Sequence, residues 1–80
     1  MALYPNPSPD GRTTLTLTAR QAQTATVHVR DARGRLVHTL AAPLPAGSAH
    51  VPLPARLPRG LYFVHTRLDG QPLRCTLQVE

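Results

Sequence analysis

A chain of 80 residues with nine arginines, no lysine and four acids carries a formal net charge of +5, and nine prolines and five glycines interrupt it too often for a helix of useful length. So short a chain buries only about 60% of the surface it exposes when unfolded, and with two tyrosines, one phenylalanine and no tryptophan its core must be built from leucine and valine. No run approaches the ~20 apolar residues of a membrane-spanning helix, residues 1–20 lack the pattern of a secretory signal, and a single cysteine excludes an internal disulfide.

Ala2-Leu3-Tyr4 is a short apolar start, halted by Pro5-Asn6-Pro7-Ser8-Pro9 and turned at Asp10-Gly11. The alternate prolines predict an extended, polyproline-like segment. Residues 14–18 then alternate threonine with Leu15 and Leu17, the period of two of a half-buried strand. Residues 24–30 repeat it, with Ala25, Val27 and Val29 inward and Thr26, His28 and Arg30 outward. Asp31-Ala32-Arg33-Gly34 predicts a tight hairpin, in which Gly34 takes the left-handed position that closes a type I turn with a bulge. Residues 35–41 return as the partner strand, with the inward face left open, since Leu36 and Leu40 share one parity and Val37 has the other.

Residues 42–47 read as a Pro-rich loop and residues 48–53 as a short strand with Ala49, Val51 and Leu53 inward. Pro52 has no amide proton, which assigns that strand to a sheet edge or a bulge. Residues 54–60 cross over to the most hydrophobic strand, expected to be central, in which Tyr62, Val64, Thr66 and Leu68 share one face. Asp69-Gly70 is a two-residue hairpin signal. In residues 73–79, Leu73, Cys75, Leu77 and Val79 alternate with Arg74, Thr76 and Gln78, so Cys75 is expected to be a buried, inert thiol. The pattern describes one all-β domain over residues 1–80, an immunoglobulin-like antiparallel β-sandwich of about seven short strands, with a small closed barrel as the alternative.

No catalytic constellation emerges. Asp10, Asp31 and Asp69 stand at or just before turn glycines and read as turn formers. His28, His38, His50 and His65 fall on four different predicted strands without the close spacing of metal ligands, so neither a metal nor a cofactor is expected. Ser8 and Ser48 lie outside any nucleophile motif, and the glycines do not cluster as a phosphate loop requires. The arginines alternate with apolar residues or sit in turns, without stacking aromatics between them, which reads as a solvated face rather than a nucleic-acid footprint.

Several segments, in order, do point to a family. These are Tyr4-Pro5-Asn6-Pro7-Ser8; Gly11 before a Thr/Leu strand; Val27-x-Val29-x-Asp31-x-x-Gly34-Arg35-x-Val37; and Leu57-Pro58-x-Gly60-x-Tyr62-x-Val64 before a closing alternating strand. In this order the chain resembles the C-terminal sorting domain (type A) of type IX secretion cargo from Bacteroidetes. The resemblance implies a non-enzymatic domain at the end of a longer exported precursor, carried to the outer membrane, cell surface or medium. It implies as partners the secretion machinery, a cysteine peptidase acting as sortase and an upstream cargo, with no nucleic acid and no integral membrane segment. Recognition would fall on Pro5, Asn6, Pro7, Gly34, Arg35, Gly60 and Tyr62, and on the last strand with Leu73, Arg74, Leu77, Val79 and Glu80. The family often has lysine before its last strand and a basic or amidic residue at the end; here Arg74 and Glu80 stand instead. Residues 73–79 are expected to offer an open strand edge that adds to a partner's sheet, with arginines steering it toward an acidic partner or anionic lipopolysaccharide. Two other readings compete: an accessory immunoglobulin-like module of a surface enzyme, adhesive or binding to carbohydrate or protein, which calls for exposed aromatics, and a small basic nucleic-acid-binding barrel.

Overall fold

The computed structural model describes residues 1–53 and 56–80. Its strands are β1 (Ala2–Tyr4), β2 (Thr14–Ala19), β3 (Gln23–Asp31), β4 (Leu36–Leu44), β5 (Gly47–Pro52), β6 (Gly60–Leu68) and β7 (Gln71–Val79). They form two antiparallel sheets, one in the order β1-β2-β5 and one in the order β4-β3-β6-β7. The predicted sandwich is therefore the fold, and the closed barrel is not.

The alternating residues make the core. Leu15, Val27, Val29, Val64 and Leu77 are almost completely buried and belong to one apolar cluster with Leu17, Tyr62, Leu68 and Val79. Each such side chain contributes about 1.5–3 kcal/mol by leaving water, which is how so small a chain does without tryptophan. β6 lies inside its sheet, between β3 and β7, with Tyr62, Val64, Thr66 and Leu68 all buried as the pattern predicts. The two hairpins also form as read: Gly34 has φ +86° after a register shift at Val29/Arg30, and Asp69 and Gly70 have φ of 52° and 76°. Part of the expected crossover, residues 54–55, lies outside the described residues.

Three expectations need correction, and the face of β4 left open is now assigned. β4 continues through the expected loop to Leu44, with Pro43 opposite Thr24; β4 is an edge strand, where a missing N–H need cost no hydrogen bond. Its inward parity is that of Leu40, Ala42 and Leu44, whereas Leu36 and Val37, beside the hairpin, are both exposed. The Pro5-Asn6-Pro7 segment is not polyproline-like: the Tyr4-Pro5 and Asn6-Pro7 bonds are cis, and Ser8 pairs with Val79 in an isolated parallel bridge. Cys75 is free and only half-buried, because β7 is an edge strand whose first half is thinly covered.

Candidate functional site

The segments that carry the family resemblance meet at one end of the sandwich. Cross-strand pairing sets Asp31 beside Tyr62 and Tyr62 beside Leu77, and it sets Gly60 beside Val79, which Ser8 bridges in turn. Residues from both ends of the chain thus share one short row.

The hairpin between β3 and β4 is held by Asp31. Its carbonyl accepts from the Gly34 N–H at 2.9 Å, and its Oδ1 accepts from the backbone N–H groups of Arg33 and Arg35 at 2.9 and 3.0 Å. The Arg35 Nε donates to Oδ2 at 2.9 Å. Desolvation alone would raise the Asp31 carboxyl, but the backbone and side-chain hydrogen bonds from Arg35 and Arg33 prevail and hold it below the usual carboxylate range.

Across the row, the Tyr62 hydroxyl donates to the Pro58 carbonyl at 2.6 Å and fixes the incoming turn over the start of β6. Burial, with the nearby charge of Asp31, pushes that phenol above its ordinary value, so it stays a donor at neutral pH. Leu57 is buried beneath the turn and its N–H donates to the Gly11 carbonyl at 3.0 Å. The two backbones cross so closely that a Cβ on Gly11, whose φ is +83°, would lie 2.2 Å from the Leu57 carbonyl oxygen. Only glycine fits there.

Ser8 ties these pieces to the last strand. It is fully buried, and each of its polar groups is used: N–H to the Gln78 carbonyl at 2.7 Å, carbonyl from the Glu80 N–H at 2.9 Å, hydroxyl to the Arg12 carbonyl at 2.7 Å and from the Gly11 N–H at 3.0 Å. Asn6 extends the same contact with its side chain, donating from Nδ2 to the Thr76 carbonyl at 2.7 Å and accepting the Gln78 N–H on Oδ1 at 3.1 Å. Its carboxamide acts as one more peptide unit laid along β7.

The edge of β7 is therefore not open over its length. Thr76 O, Gln78 N, Gln78 O and Glu80 N are all taken by Asn6 and Ser8. By alternation the backbone groups of Arg74 and the Thr76 N–H point the same way, and they have no partner among the described residues. Pro72, the next outward position, has no N–H to offer.

Between the β3–β4 hairpin and the turn before β6 lies an open cavity of about 620 Å³. Arg33, Arg35, Arg56 and Arg59 line it, together with Val37 and Leu61, each 42% exposed. Four guanidinium groups thus surround two uncovered aliphatic side chains.

Ten of the recognition residues named from the sequence gather at this end. Asn6, Pro7, Gly34, Arg35 and Glu80 are exposed, Pro5 and Gly60 half-buried, and Tyr62, Leu77 and Val79 are core residues with little surface to offer. Leu73 and Arg74 lie apart, in the first half of β7, beside a different cavity. Sequence reasoning missed Ser8 and Gly11 as the tie, since a serine weighed as a nucleophile and a glycine weighed as a turn say nothing about contacts with Gln78 and Leu57, far along the chain. It also missed Arg33, Arg56 and Arg59. Their only signal is that they stand in the same turns as Gly34 and Gly60. The four histidines are likewise less separate than their spacing suggests, because β3 and β6 place His28 directly opposite His65; among the described residues no group of three metal-ligating side chains forms.

Compared with known proteins, the chain matches the family described as secretion system C-terminal sorting domain over residues 2–78, from β1 into the end of β7. No curated protein and no solved structure matches it. With its motif segments assembled at one end of a sandwich, the chain belongs to the secretion system C-terminal sorting domain family and is a C-terminal sorting signal of type IX secretion.

Proposed function

We propose that the secretion machinery reads this domain at the end where Asn6, Ser8, the β3–β4 hairpin, the turn before β6 and the last residues of β7 converge. The observation that carries the reading is the convergence itself: segments spread from Pro5 to Glu80 form one surface, and the family match covers them as far as Gln78. The docking element is the Arg33, Arg35, Arg56 and Arg59 cavity with Val37 and Leu61 in it, rather than a bare strand edge. Exposed aliphatic groups ringed by guanidinium suit a partner that presents an apolar anchor among carboxylates; the anchor supplies affinity, and the charges supply orientation and rate. The domain acts by being held, without chemistry of its own. The cargo is joined ahead of β1, and a cysteine peptidase of the machinery cuts in that connection once the outer membrane has been crossed.

A reporter fused ahead of this chain, in a host with a working type IX system, tests the reading. Replacing Arg33, Arg35 and Arg59 together by glutamine leaves the buried contacts in place and is expected to lower export about tenfold, the effect of roughly 1.4 kcal/mol of lost docking. Replacing Arg20 and Arg67, elsewhere on the surface, is expected to leave export intact. A triple variant that keeps its melting temperature and is exported like the parent overturns this choice of surface. The mass of the secreted reporter, with or without the domain, tests the cleavage.

A further inference from the structure

The four-stranded sheet is split. β3 and β6 pair only from His28 opposite His65 to Asp31 opposite Tyr62, although β3 reaches back to Gln23 along β4 and β6 runs on to Leu68 along β7. Beyond His28 and His65 the strands are joined by side chains. The Thr66 hydroxyl donates to the Thr26 carbonyl at 2.9 Å, and at the far end Gln23 and Asp69 exchange two hydrogen bonds, Nε2 to Oδ1 at 2.7 Å and Asp69 N–H to Oε1 at 2.9 Å. Backbone groups are seldom left unpaired in a sheet that could close, so this gap is a feature of the fold to be explained. It forms the floor of an open cavity of about 690 Å³ on the outer face of the sheet.

Cationic and hydroxyl groups line that cavity. Across β3, β6 and β7 run His28, His65 and Arg74, each directly opposite the next, which puts neighbouring Cβ atoms about 5 Å apart. Arg67, Thr24, Thr26, Thr66, Pro72 and Leu73 complete the wall. Among the described residues the one ion pair is Arg35 with Asp31, so Arg67 and Arg74 pair with no carboxylate; the nearby Asp69 is engaged by Gln23 and the Arg20 N–H, Arg67 spends one N–H on the Gly70 carbonyl and Arg74 makes no side-chain hydrogen bond. His28 has a buried Nδ1 without a partner. Of the other groups that face the two imidazoles, Thr39 on β4 is neutral, Arg30 on β3 is cationic, and Asp31 in the adjoining cavity is engaged by Arg33 and Arg35.

We propose that this cleft binds a phosphomonoester group, held between His28, His65, Arg67 and Arg74. A dianion with three free oxygens accepts from several donors at once, which suits two imidazoles and two guanidinium groups converging from three strands. The gap between β3 and β6 beneath the cleft runs only from the His28–His65 pairing to the Gln23–Asp69 bonds, which favours a compact group over an extended acidic peptide. The site lies apart from the arginines proposed to dock the machinery and stands independently of that reading.

The test is a titration of the whole chain, followed by the imidazole resonances of His28 and His65. The probes are inorganic phosphate, a hexose 1-phosphate, vesicles containing phosphatidic acid, and a glutamate hexapeptide. Saturable binding of a phosphate probe is expected, with the His28 and His65 resonances moving together. His65→Gln and Arg74→Gln, both on the exposed face and both keeping hydrogen-bonding capacity, are expected to weaken that binding at least tenfold without lowering the melting temperature. Whichever phosphate probe binds at the lowest concentration names the source, soluble ester or lipid headgroup. The proposal is overturned by the absence of saturable binding, by unchanged binding in the folded variants, or by tighter binding of the glutamate peptide at the same resonances.

Discussion

The two ends of the four-stranded sheet are held together in different ways. At the end that carries the chain terminus, Ser8, Gly11, Leu57 and Glu80 are joined through main-chain groups, several of them buried, with no room for a Cβ at the crossing. At the other end β3 and β6 part, and exposed or half-buried side chains of Gln23 and Asp69 bridge them. The contrast teaches that rigidity and unpaired polar groups need not share a location: the closed end holds a fixed outline, and the parted end leaves backbone groups and side chains outside the ladder.

The contrast can be broken most severely at Gly11. Gly11→Ala is expected to destabilise the domain by roughly 3 kcal/mol, because a methyl group must displace backbone and the φ is left-handed; Gly34→Ala, with open space around it, is expected to cost only about 1 kcal/mol. Urea unfolding of the two variants would settle the ratio, and equal losses would mean that the crossing is not tight. Next in size, Ser8→Ala strands the Gly11 N–H and the Arg12 carbonyl, an expected loss of about 2 kcal/mol. Asn6→Ala removes two hydrogen bonds from an exposed edge and is expected to cost about 1 kcal/mol, with faster hydrogen exchange confined to Gln78 if the carboxamide shields that amide.

Acid sharpens the comparison most gently. Asp10, Asp31 and Asp69 are all held below the usual carboxylate range. The Arg12 backbone N–H dominates at Asp10, hydrogen bonds from Arg35 and Arg33 outweigh desolvation at Asp31, and the Gln23 side chain dominates at Asp69. A carboxyl lowered on folding contributes stability that is present above its unfolded value and lost as pH falls through its folded value. The melting temperature should therefore be flat above about pH 5 and fall progressively below about pH 4, and Asp69→Asn should reduce that slope. A slope unchanged by that variant would show that the bridge at the parted end carries none of it.

Much of the sandwich was legible because it rests on local rules. Leu15 and Leu17, Val27 and Val29, and Tyr62 through Leu68 declare their faces by alternation, and Asp69-Gly70 and Asp31 with Gly34 declare their turns. Pro43 misled for a physical reason: a proline that stops an inner strand is harmless on an edge, and edge position is a property of the sheet order. The candidate site was legible only as a set of segments. That His28 meets His65 follows from β3 pairing with β6, strands separated by two others, and no periodicity reports it. Asn6 on Thr76 is harder still, since a side chain that imitates a peptide group leaves no pattern in either segment.

The grip of Asn6 on Gln78 spans 72 positions of an 80-residue chain. During synthesis the first segment waits for its partner until β7 has left the ribosome, so the closed end cannot be assembled early. A product that stops short, even by the length of β7, lacks the strand onto which Asn6 and Ser8 fasten. A domain closed in this manner keeps its assembled end from any chain that stops short of β7.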